Sequence, residues 1–127
     1  MSAGDDLVVP VEHLGHFISR LQELVVKYKF DFRLAGHAGD GNMHLRIVPG
    51  NVPLVDWPTR YSRFREELCR RAYDLGGRIS GEHGIGFKKK DILSRLIDPV
   101  ELDLMRAVKL AFDPNMILNP GKIFDYA

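Results

Sequence analysis

Gly36-His37-Ala38-Gly39-Asp40-Gly41-Asn42-Met43-His44 constrains this chain more than any other stretch. Asp-Gly is a strong hairpin signal, because a type I′ turn needs φ > 0 at both central positions. The flanking residues agree with it. Phe32 and Leu34 alternate with Arg33 before the turn, and Met43, Leu45 and Ile47 alternate with His44 and Arg46 after it, which is the two-residue period of a strand. The predicted strands run from Lys29 to Gly36 and from Asn42 to Val48. Counting outward from a two-residue turn pairs Gly39 with Asn42, Ala38 with Met43 and His37 with His44. Cross-strand partners sit roughly 4.5–5.5 Å apart, so both imidazoles are expected to reach one ion. The same parity puts Phe32, Leu34, Leu45 and Ile47 on one face, and Arg33, His37, His44 and Arg46 on the other. Paired histidines on a sheet are also found as hydrogen-bonded structural pairs, and the hairpin alone leaves both readings open.

The 127 residues suffice for one core, and the chain is read as a single domain over 1–127. A short β-type run, Leu7-Val8-Val9, is stopped by Pro10, and Met1-Ser2-Ala3-Gly4 is expected to be an added segment outside the fold. Leu14, Phe17, Ile18, Leu21, Leu24, Val25 and Tyr28 then recur at helical spacing, a stripe that belongs to a core. After the hairpin, a loop rich in proline and glycine leads to a second helix over about Thr59 to Leu75, with Tyr61, Phe64, Leu68 and Ala72 inward. Gly76-Gly77 ends that helix, and Arg78-Ile79-Ser80 is a weak fourth strand. The order β-α-β-β-α-β predicts an α+β, ferredoxin-like antiparallel sheet, with both helices on one face and the histidines on the open one. C-terminal helices follow. Ile92 to Ile97 is a short one, and Asp98 caps another that has Pro99 at its first position.

Gly81-Glu82-His83-Gly84-Ile85-Gly86 carries a second group of chemistry-bearing side chains. On a regular strand, Glu82 and His83 would point to opposite faces, but the flanking glycines permit bends that turn both inward. A solvated glycine-rich loop would use the same residues. Joined to the hairpin, two histidines and a carboxylate form a common three-ligand set for a divalent ion with open positions. His83 would stand beside it as a general base near neutral pH. Arg33 or Arg46 on the same face could attract an anionic substrate, although exposed arginines mostly cover surface.

Three segments occur in order: His37-Ala38-Gly39-Asp40-Gly41-Asn42-Met43-His44, Gly81-Glu82-His83-Gly84-Ile85-Gly86, and Asp113-Pro114-Asn115-Met116-Ile117-Leu118-Asn119-Pro120-Gly121-Lys122-Ile123. Together they resemble the C-terminal domain of the FAD-linked oxidases. That family includes the glycolate oxidase FAD subunit, D-lactate dehydrogenase and D-2-hydroxyglutarate dehydrogenase. The resemblance implies metal ligation by His37, His44 and Glu82, with zinc, iron or manganese all suited to the set. It also implies His83 as catalytic base, a 2-hydroxy acid as substrate and FAD as hydride acceptor. Asn119 is the implied flavin contact. Arg46, a substrate-binding candidate, stands where some relatives have asparagine. Nothing here resembles the family's FAD-binding domain. The chain is therefore expected to be a fragment, or to work with that domain in cis or as a separate subunit, and to be inactive alone.

A net charge of +1 gives no footprint for nucleic acid, and no apolar run approaches the roughly 18–20 residues of a membrane span. A lone cysteine, Cys69, fits a reducing compartment, so a cytoplasmic location is expected, with membrane association only through partner subunits. Two other classes use the same residues: a stand-alone metal-binding or interaction domain, and a hydrolase with metal-activated water.

Overall fold

The hairpin forms with a longer turn than the dipeptide predicts. In the computed structural model, which describes residues 1–125, β2 (Asp31–His37) and β3 (Asn42–Val48) pair antiparallel, with His37 opposite Asn42 and Ala35 opposite His44. The connection is thus Ala38–Gly41, not Asp40-Gly41 alone. Asp40 N–H donates to the His37 carbonyl (3.2 Å), and Asn42 N–H donates to Asp40 Oδ1 (3.1 Å). Gly41 is held from outside the hairpin. Its carbonyl accepts from Val9 N–H at 3.2 Å, and a Cβ on it would fall 1.9 Å from the Val9 carbonyl oxygen. Only glycine fits that approach at φ 74°. The pairing is therefore two residues away from the one predicted by a I′ turn. A slip of two conserves faces, whereas a slip of one would invert them.

The first strand is also longer than predicted. β1 (Ala3–Val8) pairs antiparallel with β3, from Ala3 opposite Ile47 to Val8 opposite Asn42, so Ala3-Gly4 belongs to the sheet and not outside the fold. The sheet order is β1-β3-β2. The expected fourth strand is reduced to one antiparallel bridge, in which Val8 and Arg78 exchange both backbone hydrogen bonds (3.1 and 2.8 Å). Gly81 and Gly84 follow within a few residues, and the chain leaves the sheet there. The result is an α+β fold in the split βαβ order, with its last strand shortened.

α1 (Leu14–Tyr28) and α2 (Trp57–Asp74) cover one face of the sheet. α1 buries Phe17, Leu21, Leu24, Val25 and Tyr28 of the stripe read from the sequence, while Leu14 and Ile18 at its edge are half-buried. It stops because Lys29 turns left-handed (φ 60°) and Phe30 N–H bonds back to the Val25 carbonyl, which delays β2 to Asp31. α2 buries Trp57, Phe64, Leu68, Cys69 and Ala72. Phe30 stands edge-on to Trp57 and Phe64, with ring centroids 4.9 and 5.4 Å apart. Each fully buried side chain of this kind contributes about 1.5–3 kcal/mol.

The chain divides into two compact units, Met1–Gly84 and a second beginning at Ile85. The second carries α3 (Lys90–Leu96) and α4 (Pro99–Phe112). The Asp98 side chain accepts from Val100 N–H at 2.8 Å, the predicted cap. α4 buries none of its residues, and Leu104, Val108 and Phe112 are exposed.

Candidate active site

The sheet's uncovered face is built by alternation. His44 and Arg46 of β3, Asp6 of β1, and Arg33, Ala35 and His37 of β2 share a parity opposite to that of Leu7, Leu45 and Ile47. His37 lies diagonally across from His44, not directly opposite as the sequence suggests, and their ring centroids are 5.5 Å apart. Diagonal neighbours on one face are still within reach of long or aromatic side chains.

The Gly81–Gly84 segment is drawn onto this face by Asp6, the direct cross-strand partner of His44. Asp6 Oδ2 accepts from the Gly81, Glu82 and His83 amides at 2.8, 2.9 and 2.9 Å, and from Ser80 Oγ at 3.0 Å. Ser80 Oγ in turn accepts from Gly84 N–H at 2.7 Å. Gly81 is needed for the approach: a Cβ there would lie 2.2 Å from Asn42 Oδ1. Successive amides aimed at one carboxylate oxygen form an anion nest. The bend it imposes defeats the strand rule that would separate Glu82 from His83.

Both side chains therefore reach the histidines. Glu82 Oε1 is 3.0 Å from His44 Nε2, and one ligand atom from each of His37, His44 and Glu82 lies within 4.8 Å of the others. His44 Nε2 is buried yet makes no hydrogen bond, although the carboxylate oxygen is so near. Contact without a directed N–H bond is what donors converging on a third atom produce. Around a tetrahedral ion with bonds of about 2.0–2.1 Å, donor atoms stand about 3.3 Å apart. The His44 side chain is 29% exposed, while those of His37 and Glu82 are 58% and 46% exposed. The cluster thus stays open to solvent on one side, as a site with free coordination positions requires. His83 flanks it. Its Nε2 is 3.5 Å from Glu82 Oε1, its Nδ1 is 3.8 Å from Asp6 Oδ1, and its ring centroid is 4.9 Å from that of His44.

Arg46 stands two residues beyond His44 on the same face, directly opposite Arg33. Like charges so placed repel, and among the described residues neither guanidinium meets a carboxylate within ion-pair distance. With Asp31, Phe32 and Val48 they line a cleft of about 540 Å³. Asn119 belongs to the second unit. There it is left-handed (φ 50°), its carbonyl accepts from Lys122 N–H at 3.3 Å, and it lines an apolar cleft with Met105, Val108 and Leu118.

Asp6 is the site residue that no motif in the sequence marks. The available signal was the Asp5-Asp6 doublet heading an apolar run, since buried carboxylates in strands are rare unless they hold something.

Comparison with known proteins gives a consistent result. The family described as FAD linked oxidases, C-terminal domain, matches residues 4–123. D-lactate dehydrogenase of Anaerostipes hadrus is 40% identical over 93% of this chain and 25% of its own length. D-lactate dehydrogenase of Archaeoglobus fulgidus is 44% identical over 93% of the chain and 26% of its length. Glycolate oxidase subunit GlcD of Bacillus subtilis is 36% identical over 94% of the chain and 25% of its length. The chain thus spans about a quarter of the relatives it matches.

Proposed function

The chain belongs to the FAD linked oxidases through their C-terminal domain, and from that premise we propose that it is the substrate- and metal-binding part of a flavin-dependent 2-hydroxy acid dehydrogenase. Relatives named for lactate and glycolate support the substrate class, since both are 2-hydroxy acids. The observation that carries the reading is that one ligand atom from each of His37, His44 and Glu82 lies within 4.8 Å of the others, beside a buried His44 Nε2 that makes no hydrogen bond.

In this reading His37, His44 and Glu82 hold one divalent ion: zinc, iron or manganese. The ion supplies Lewis acidity, and FAD, held mainly by another domain or subunit, supplies a two-electron hydride acceptor. His83 takes the proton of the substrate hydroxyl as the α-carbon gives up hydride. Arg46, with Arg33 opposite, draws the anionic substrate to the open face. Asn119 contacts the flavin. The exposed apolar face of α4 suits burial against the flavin-binding partner. We place the enzyme in the cytoplasm, associated with membranes only through other subunits. The one cysteine, Cys69, is buried, and no helix among the described residues is long and apolar enough to cross a membrane.

The test is reconstitution with an FAD-binding domain of the family, followed by dye reduction with D-lactate or glycolate. Activity that needs both parts and is lost in His83→Ala supports the proposal. Full activity in His83→Ala removes the base. Substrate cleavage by water, without flavin, would favour a hydrolase instead.

A further inference from the structure

We propose that Asp6 is the positioning residue of this site: its carboxylate sets where Glu82 and His83 stand relative to His44, so that the ligand set is assembled from β1 as well as from the hairpin. This rests on the reading of Glu82 as a ligand and His83 as the base. Asp6 is 1% exposed and sits opposite His44 on the neighbouring strand, so its Cα is fixed against the central strand of the sheet. One of its oxygens accepts the amides of Gly81, Glu82 and His83 and the Ser80 hydroxyl, all between 2.8 and 3.0 Å. Bonds to a carboxylate are roughly twice as strong as neutral ones. The amides held are those of the two chemistry-bearing residues themselves. The other oxygen, Oδ1, faces His83 Nδ1 at 3.8 Å, on the side of the ring away from the Nε2 that nears Glu82. One buried group thereby spans from the strand pair to both functional side chains. The loop has glycine on either side of them and no strand pairing of its own.

The experiment compares wild type, Asp6→Ala and Asp6→Asn by cobalt(II) titration, read by visible absorption and calorimetry, and by amide hydrogen exchange without metal. Removing an outer-shell partner typically costs 10–100-fold in metal affinity, and that loss is expected in folded Asp6→Ala, with a weakened cobalt band. Asp6→Asn is expected to recover most of it, because its amide oxygen can replace Oδ2 as acceptor. In wild type the amides of residues 81–83 are expected to be as protected as those pairing β1 with β3, and to lose protection selectively in Asp6→Ala. Cobalt affinity in folded Asp6→Ala within threefold of wild type overturns the proposal. So does free exchange at residues 81–83 in wild type, which decides the matter even if Asp6→Ala does not fold. A wild-type chain that takes up no cobalt defeats the ligand reading alone, and exchange then still decides whether Asp6 holds the loop.

Discussion

Adjacent on β1, Asp5 and Asp6 turn to opposite faces of the sheet and serve different ends. Asp5 enters the helix-covered face, where it accepts from the Tyr61 hydroxyl and from Arg65 Nε at 3.1 Å. Burial and the Asp5 charge push the Tyr61 hydroxyl far above its usual range, so it stays a donor. There the Asp5 carboxylate is matched by side chains of α2. Asp6 enters the open face and spends Oδ2 mainly on backbone amides, leaving the side chains of Glu82 and His83 to lie against His44. A carboxylate matched by side chains stabilises a fold, while one matched by backbone amides can shape a loop and leave its side chains available.

The contrast can be broken at several places. The largest effect is expected on the open face. In a reconstituted enzyme, His83→Ala should lower turnover by about 10²–10⁴-fold, the usual worth of a general base, while metal content stays at the wild-type level. Equal loss of metal would instead make His83 a ligand. On the covered face, Asp5→Ala should cost about 1–3 kcal/mol in urea unfolding, because the Tyr61 hydroxyl and Arg65 Nε lose the carboxylate to which they donate. The metal stoichiometry of the folded protein should not change. A loss below about 1 kcal/mol would show that Asp5 contributes little to the fold.

Two smaller effects are expected. Arg46→Gln should raise KM roughly fivefold with turnover nearly unchanged, the effect of losing about 1 kcal/mol of attraction at an exposed position. A fall in turnover instead would place Arg46 in the transition state. The smallest effect concerns pH. The Lys27 ammonium and then the Tyr28 hydroxyl hold the Glu67 carboxyl below its usual 4.5, and burial together with that Glu67 bond pushes the Tyr28 hydroxyl up to about 12. Since the folded value is the lower one, this stabilisation is complete above pH 4.5 and disappears as pH falls through the folded value. Melting temperature should therefore drop less steeply below pH 4.5 in Glu67→Gln than in wild type, and parallel profiles would contradict it.

Much of this was legible in the residues. The α1 stripe, the bounds of β3 and the Asp98 cap follow from periodicity and capping chemistry that act over a few residues. The face assignment survived an incorrect turn because strand parity ignores a slip of two. The turn length was not legible, because Val9, far from the hairpin in sequence, holds Gly41. Nor was the extent of β1. Two aspartates argue against a strand unless one knows that Arg65 meets the first and the amides of residues 81–83 the second. Glu82 was legible as a ligand candidate by type, while the means of bringing it to His44 lay in long-range hydrogen bonds.

Metal uptake by the chain itself decides whether His37, His44 and Glu82 form a metal site. Cobalt(II) titration of wild type should give one ion per chain, displaced by zinc. The uptake should be abolished in Glu82→Gln and His44→Ala and kept in Asp5→Asn. No uptake by the wild-type chain, or uptake indifferent to Glu82 and His44, would show that these side chains hold no metal.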